Sequence, residues 1–189
     1  MGHKHSKEEI LDEALEVALE AGLSRLTFGS LALRLGISDR MVVYYFPSKD
    51  DLIREVLVSM GLRLQQTLGE AFTEPATDYL ALVASAWPVL ARPAADPIFA
   101  MFFEAMGLAA SGRDPYNALM PALVDAWVEW LAGFFVGPTN RRRAQAEAAL
   151  AMIDGLLLLR QLAGPAAANR AAKVLGVTVA VHERSGVRP

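Results

Sequence analysis

The chain has 189 residues, enough for one domain with a sizeable core or for a small module joined to a larger one. It contains no cysteine, which excludes disulfides, thiolate metal sites and cysteine redox switching. The net charge is −3, and residues 1–70 carry all of it, with eight Lys and Arg against eleven Asp and Glu. A domain that is basic throughout is therefore excluded, and any binding of nucleic acid must depend on local placement of charge.

The apolar fraction of 53% is high, yet no segment has the length and composition of a membrane span. The longest apolar tract, "AALAMIDGLLLL" from Ala148, is short and carries Asp154. The first residues run directly into the acidic segment "SKEEILDEALE", which is unlike a signal peptide. We expect a soluble, cytoplasmic protein that uses its surplus apolar residues in a subunit interface and an internal ligand cavity.

The first part of the chain has the start and stop signals of four helices and almost no alternating strand pattern. A serine or threonine precedes each helix as a potential N-cap, and the first helix has the capping box "SKEE". Pro47 ends the third helix, because proline disfavours helical geometry in the residue before it. The predicted helices run from Ser6 to Gly22, Thr27 to Gly36, Ser38 to Phe46 and Ser48 to about Phe72.

Longer and more apolar helices follow Pro75. Asp96 and Asp114 each precede a proline, a pattern that predicts a capping residue and the first helical position. Glycine-proline pairs at 137 and 164 mark two helix ends. The predicted helices are 75–91, 97–111, 115–135, 140–163 and 167–183, although "VTVAV" within the last one locally prefers strand. The result is an all-α fold of about nine helices with short, antiparallel connections.

The second and third helices, joined by "RLGIS", have the form of a helix-turn-helix motif. Ala32 is small enough to let the two helices cross, Gly36 is free to adopt a positive φ, and Ile37 supplies an apolar plug. The third helix is then the recognition helix, whose N-terminal residues reach the base edges of the major groove. Those residues are Ser38, Asp39, Arg40 and Met41. Asp39 either favours the helix dipole or accepts a hydrogen bond from cytosine.

The block "LTFGSLALRLGISDRMVVYYFPSKDDLI" resembles the DNA-binding domain of the tetracycline-repressor-like (TetR) family of bacterial transcription regulators. The similar region covers about Lys4 to Leu64, a third of the chain. The resemblance implies an N-terminal three-helix DNA-binding domain at 4–64 with its helix-turn-helix motif at 27–46. It also implies an antiparallel helical domain for ligand binding and dimerisation at 65–189.

The resemblance further implies that Thr27 and Ser38 contact phosphate, and that Tyr44 and Lys49 hold the DNA backbone on either side of Pro47. Arg40 and Met41 would face the bases. Elementary chemistry supports the phosphate contacts, because helix N-termini present unpaired N–H groups and a phenol donates a neutral hydrogen bond.

The aromatic run "YYF" divides between core and surface in this reading. We assign Phe46 to the core, whereas Tyr45 either packs or contacts DNA. The sequence departs from the family pattern at Val43, where a tyrosine usually precedes the aromatic pair. A phosphate contact is therefore either missing or moved to Tyr45.

Residues 77–130 contain all three tryptophans together with phenylalanines and methionines, a mixture typical of adaptable hydrophobic pockets. Each of these side chains also fits an ordinary core. Glu104 and Asp125 are either solvent-facing charges or polar contacts for a ligand. The effector is expected to be a small molecule that is apolar or weakly cationic. The predicted ligand-binding residues are Trp87, Phe99, Phe103, Met106, Tyr116, Met120 and Trp127.

Small residues recur at spacings of four, three and four along the penultimate helix, where two backbones can approach closely. This stripe indicates either packing within the chain or a two-fold interface, and reading paired half-sites favours the interface. The predicted interface consists of the stripe Ala144, Ala148, Ala151 and Gly155 with the larger neighbours Met152, Leu156 and Leu159.

Two hypotheses about function follow. In the first, the protein is a homodimeric repressor that binds a palindromic double-stranded DNA operator and leaves it when an effector enters the second domain. In the second, it is an all-helical small-molecule-binding protein or enzyme that uses the same cavity. The sequence has no phosphate loop, no paired catalytic carboxylates in one recognisable motif and no serine nucleophile elbow. We predict no enzymatic activity, no cofactor and no metal.

Overall fold

A computed structural model describes residues 5–177, and in this range the backbone forms nine α-helices and no strand. The all-α prediction is confirmed. Two short 3-10 turns, Leu23–Arg25 and Pro93–Ala95, lie between helices. The helices are α1 (Lys7–Ala21), α2 (Phe28–Leu35), α3 (Asp39–Tyr45), α4 (Lys49–Gly69), α5 (Tyr79–Leu90), α6 (Asp96–Ala110), α7 (Tyr116–Ala132), α8 (Thr139–Ala163) and α9 (Pro165–Val174).

The first four helices begin where the capping residues predict. Ser6 Oγ accepts a hydrogen bond from the Glu9 N–H at 3.1 Å, and the Glu9 carboxylate accepts one from the Ser6 N–H at 2.9 Å. Thr27 and Ser48 cap α2 and α4 in the same way, each accepting from the N–H three residues on. These caps satisfy N–H groups that the first turn of a helix leaves without partners.

The predicted capping roles of Asp96 and Asp114 are wrong. Asp96 is the first residue of α6 and makes no capping hydrogen bond, because its carboxylate pairs with the Arg160 guanidinium. Asp114 precedes Pro115, which itself occupies the position before the first residue of α7. The two Asp-Pro pairs thus mark the starts of these helices correctly, but the aspartates do not cap them.

Two helices in the second half end earlier than predicted. Helix α7 ends at Ala132, because the Phe134 carbonyl accepts a hydrogen bond from the Ala76 N–H at 2.8 Å and Phe135 forms an isolated bridge with Ala76. Helix α9 ends at Val174. Most of the "VTVAV" segment of the predicted last helix lies outside the described residues.

Two hydrophobic cores share three helices. The N-terminal core joins α1 to α3, the first half of α4, part of α6 and the first turns of α7. The C-terminal core joins α5, α8 and α9 with Leu68 of α4, Phe99 of α6 and the end of α7. Helices α4, α6 and α7 therefore connect the two halves of the molecule. None of the helices within residues 5–177 is long and apolar enough to cross a membrane.

Candidate DNA interface and effector cavity

The turn between α2 and α3 has the geometry that the sequence predicts for a helix-turn-helix motif. Gly36 adopts a left-handed conformation at φ 66°, and the Ile37 N–H donates to the Ala32 carbonyl at 3.0 Å. Ala32 and Val42 are buried at the crossing of the two helices. This packing fixes the orientation of α3 on the surface of the N-terminal core.

Helix α3 presents its N-terminal residues to solvent. Ser38, Asp39 and Arg40 are exposed, and Met41 is half-buried against the N-terminal core. The Ser38 hydroxyl makes no capping hydrogen bond, so it is not committed to its own helix. These are the positions that a recognition helix uses to reach base edges and the nearest phosphates.

The three adjacent aromatic residues point in different directions. Phe46 is fully buried, which confirms its assignment to the core. Tyr44 is 77% exposed, and its ring meets that of Tyr45 edge to face at 5.0 Å. Tyr45 is half-buried and its hydroxyl donates to the His5 carbonyl at 3.3 Å. Compensation by Tyr45 for the tyrosine that Val43 replaces stays a prediction, and it would require the Tyr45 hydroxyl to leave His5.

Lys49 lies at the first position of α4, where it is exposed. Thr27 is also exposed and combines its capping role with a hydrogen bond to the Ser30 hydroxyl at 2.9 Å. Arg34 is held differently, since its guanidinium pairs with the carboxylates of Glu13 and Glu20 on α1. Arg40 and Lys49 are exposed and outside this ion-pair cluster, so both are available to DNA.

An apolar cavity of about 40 Å³ lies between α4, α5, α6, α7 and α8. A second cavity of about 210 Å³ adjoins it and shares Leu64, Leu90 and Ile98 as wall residues. The wall of the first cavity consists of Met60, Leu64, Leu68, Leu90, Ile98, Phe99, Phe102, Val124, Trp127, Leu131, Leu150, Ile153 and Asp154.

Two of the seven predicted ligand-binding residues, Phe99 and Trp127, lie in this wall. Trp87 is buried in the C-terminal core, and Phe103 packs against that core beside Phe102. Tyr116 and Met120 are buried in the N-terminal core, with Met106 packed against it. The cavity wall therefore contains only two of the seven residues predicted to bind the ligand.

Asp154 is the one ionisable residue that residues 5–177 contribute to the cavity wall. It is half-buried, and burial raises the pKa of its carboxyl to about 6. A carboxylate in an apolar setting loses hydration, which disfavours its charged form. Sequence analysis noted Asp154 only as an interruption of an apolar tract, although an acidic residue in such a tract is itself a signal of a polar site.

Glu104 of α6 links the cavity helices to the segment that precedes the helix-turn-helix motif. Its carboxylate accepts hydrogen bonds from the Leu23 N–H at 2.9 Å, the Ser24 N–H at 3.0 Å and the Ser24 hydroxyl at 2.5 Å. Gly22 permits this approach, because it has a positive φ of 87° and a Cβ there would lie 2.8 Å from the carboxylate. The Glu104 carboxylate thus binds Leu23 and Ser24, a role that neither predicted alternative included, and Glu104 is not among the residues of the cavity wall.

Replacement of Glu104 by alanine is expected to lower the free energy of unfolding by about 2 kcal/mol, because three donors lose a charged acceptor in a partly exposed setting. Urea unfolding measures this loss, and hydrogen exchange should show faster exchange of the Leu23 and Ser24 amides. Glu16→Ala is the matched control, since Glu16 is exposed on the neighbouring α1. Unchanged exchange at these two amides in the Glu104 variant would contradict the link.

The small-residue stripe of α8 faces outward. Ala144, Ala151 and Gly155 are exposed and Ala148 is half-buried, whereas Leu156 is buried in the C-terminal core. Leu159 and Met152 are half-buried. The stripe continues at spacings of three and four with exposed Leu158 and Leu162, which sequence analysis missed. Extension of the four-three spacing by one more heptad would have found both leucines.

Comparison with known proteins agrees with this geometry. Residues 10–56 match the sequence profile of bacterial regulatory proteins of the tetR family. No curated protein sequence matches the chain.

Several solved structures are similar over nearly the whole chain. A transcriptional regulator from Rhodococcus sp. RHA1 has 21% identity and a TM-score of 0.69, with 90% of this chain and 93% of that chain covered. A TetR transcriptional regulator from Legionella pneumophila has 18% identity and a TM-score of 0.64, with 93% and 97% covered. The multidrug binding protein EbrR, complexed with imidazole, has 21% identity and a TM-score of 0.65, with 93% and 92% covered.

The chain is thus a helix-turn-helix protein whose second, all-helical part encloses an apolar cavity. Residues 10–56 are similar in sequence to bacterial regulatory proteins of the tetR family, and the chain as a whole has a TetR-like fold. The resemblance in sequence is confirmed.

Proposed function

We propose that the protein is a homodimeric, ligand-responsive transcriptional regulator, a repressor that a small effector releases from a palindromic operator. In this proposal residues 4–64 form the DNA-binding domain and residues 65–189 the domain for effector binding and dimerisation. The observation that carries the proposal is the course of α4. One continuous helix has Lys49 at its first position and Met60, Leu64 and Leu68 in the cavity wall.

The DNA side of the proposal rests on exposed side chains around two helix N-termini. Ser38, Arg40 and Tyr44 project from α3, and Lys49 projects from the start of α4. Backbone N–H groups and hydroxyls at a helix N-terminus bind phosphate, while Arg40 has the reach and the donors to contact guanine. Arg40 and Lys49 are thus exposed beside the two helix N-termini, even though the domain is acidic overall.

The effector side rests on the cavity and on the relatives. The cavity wall is almost wholly apolar, which suits a small apolar molecule. EbrR is named as a multidrug binding protein and the other solved relatives as transcriptional regulators, which favours a regulator over an enzyme. We accordingly propose a cytoplasmic protein whose cavity responds to a small molecule and performs no reaction on it.

Helix α4 connects the two sites mechanically. Met60 follows Lys49 by eleven positions, so the cavity lies roughly 16 Å along the helix from the proposed phosphate contact. An effector that displaces Met60 or Leu64 would tilt α4 and move Lys49 relative to α3. The effector must bind the DNA-incompatible arrangement more tightly, and a difference of ~1–3 kcal/mol would change operator occupancy several-fold or more.

The proposed dimer uses the outward face of α8. Ala144, Ala151 and Gly155 let two helices approach closely, and Leu158 and Leu162 supply apolar area. Exposed Val174 and Leu175 add apolar area at the end of α9. Two-fold pairing of this face would set the separation of two recognition helices, as a palindromic operator requires.

Tyr44→Phe and Lys49→Ala are each expected to weaken operator binding roughly fivefold, about 1 kcal/mol, because each removes one contact to the phosphate backbone. The loss should be equal on unrelated duplexes, and Lys49→Ala should lower the slope of log K against log salt by about 1. An operator identified by genome-wide capture of bound DNA, titrated at several salt concentrations, provides the measurement.

Lys173→Ala is the control, because Lys173 is exposed near the end of α9, within the other domain of this proposal. It should bind the operator like the wild type and keep the same salt slope. If both interface variants also bound like the wild type at matched salt, the assignment of Tyr44 and Lys49 to the DNA interface would be wrong.

A further inference from the structure

The apolar cavity contains a single charged side chain, and among the described residues it has no partner. Asp154 lies on α8, in a wall whose other twelve residues are all apolar. No hydrogen bond or nearby charge within residues 5–177 contributes to the pKa of its carboxyl. Burial alone accounts for the raised pKa of Asp154, so no cation in this range offsets the loss of hydration.

Several charged residues on the surrounding helices are engaged elsewhere, and half-buried Arg142 near the start of α8 lies outside the cavity wall. Arg63 and Arg92 line the adjoining cavity, where Arg63 pairs with Asp12 and Arg92 donates to the Pro88 carbonyl. Two further ion pairs near these helices join Asp96 to Arg160 and Asp125 to Arg143. None of the residues that share the cavity wall with Asp154 is titratable.

Aromatic rings complete the site. Phe99 and Phe102 of α6 and Trp127 of α7 line the same cavity as the Asp154 carboxylate. The negative face of an aromatic ring attracts a cation, and a half-buried carboxylate in an apolar wall favours a positive charge that replaces its lost hydration. An apolar molecule without charge would fill the cavity but would leave Asp154 without a partner among residues 5–177, which is costly in a setting of low polarity.

We propose that the effector is a compact amphiphilic amine, whose ammonium group pairs with the Asp154 carboxylate and whose apolar body packs against Phe99, Phe102 and Trp127. This inference rests on the proposed function, since it takes the cavity as the effector site. It narrows the ligand class from molecules that are apolar or weakly cationic to amines that carry one positive charge, and it assigns that charge to a contact with Asp154.

The pH dependence of binding has a defined sign. An ammonium ligand pairs with ionised Asp154, so its affinity rises with pH through about 6 and then stays level until the amine itself loses its proton at alkaline pH. Stability changes in the opposite direction. Because folding raises the pKa of Asp154 from 3.8 to about 6, ionisation of this group opposes folding, and the opposition is complete above about 6.

The test compares benzylammonium with benzyl alcohol and benzoate, which share one ring and differ in charge, by calorimetric titration of the full-length protein without DNA. We expect benzylammonium to bind at least about tenfold more tightly than benzyl alcohol at a pH well above the pKa of Asp154. In Asp154→Asn this preference should vanish, while the unfolding temperature at the same pH rises. Asp125→Asn is the control, because Asp125 is exposed, lies outside the wall and should keep the preference.

Several results would overturn the inference. They are equal binding of the amine and the alcohol, a preference for benzylammonium that persists in Asp154→Asn, tighter binding of benzoate, and no binding of benzylammonium to the wild type. Tighter binding of benzoate would indicate an anionic ligand that pairs with Arg63 and Arg92 of the adjoining cavity. The titration contains no DNA, so these results would contradict only the proposed ligand class. The proposed function as a regulator is tested separately by the operator binding of the Tyr44 and Lys49 variants.

Discussion

Replacement of Leu162 by glutamate is expected to convert the proposed homodimer into a monomer. Leu162 is 80% exposed in the protomer, so the substitution removes little packing within the chain. In a two-fold interface each change occurs twice, and burial of one leucine contributes about 1.5–3 kcal/mol. The dimer should therefore lose about 3–6 kcal/mol, before the added cost of bringing two carboxylates together.

Sedimentation velocity at micromolar protein concentration measures this change, and operator affinity should fall in parallel because each half-site is then bound alone. Leu62→Glu is the matched control, since Leu62 is an exposed leucine on α4 and is not part of the α8 stripe. Leu62→Glu should stay dimeric. A Leu162→Glu protein that sediments like the wild type would remove this face of α8 from the interface.

The helix-turn-helix motif was predictable because its determinants are local. Thr27 and Ser48 satisfy their own helices within three residues, Gly36 sets the turn by its positive φ, and Pro47 separates α3 from α4. None of these features depends on a distant part of the chain. Residue type and spacing were therefore sufficient to place the exposed positions of α3 before any packing was known.

The cavity was only partly predictable, because its wall depends on how distant helices meet. Tyr116 and Met120 belong to the same aromatic-rich region as Trp127, but the first turns of α7 pack into the N-terminal core. In the sequence, Met60 and Leu64 belong to the ordinary apolar face of a long helix. They become part of the cavity wall only because α4 lies beside Trp127 of α7 in the folded chain. The pattern of apolar residues in a sequence predicts which residues are buried, but it does not show which of the two cores they belong to.

Polar contacts between segments far apart in the sequence could not be predicted either. Glu104 and Asp96 both lie on α6, one half-buried and one at its first position, and each has a partner more than sixty residues away. The Asp-Pro pattern predicted the start of α6 for a local reason, yet the carboxylate serves a tertiary contact. The Asp-Pro pattern therefore places the start of α6 correctly, although Asp96 binds Arg160 and does not cap the helix.

The pair between Asp96 and Arg160 gives the largest expected effect on stability. The Asp96 carboxylate accepts from Arg160 Nε at 2.6 Å and from Nη2 at 2.9 Å, and so fastens α6 to α8 beside the cavity. The Arg160 side chain is only 3% exposed, whereas that of Asp96 is 38% exposed. Asp96→Ala should lower the free energy of unfolding by about 3 kcal/mol, because it leaves a buried guanidinium without a counter-charge.

A double-mutant cycle separates the pair from its surroundings. Arg160→Met alone should cost less than Asp96→Ala, because water can reach the carboxylate that remains. The double variant Asp96→Ala with Arg160→Met should recover most of the loss, since an apolar side chain of similar length fills the buried site without an unpaired charge. Urea unfolding of the four proteins gives the coupling energy. Additive losses in the double variant would contradict a buried ion pair at this position.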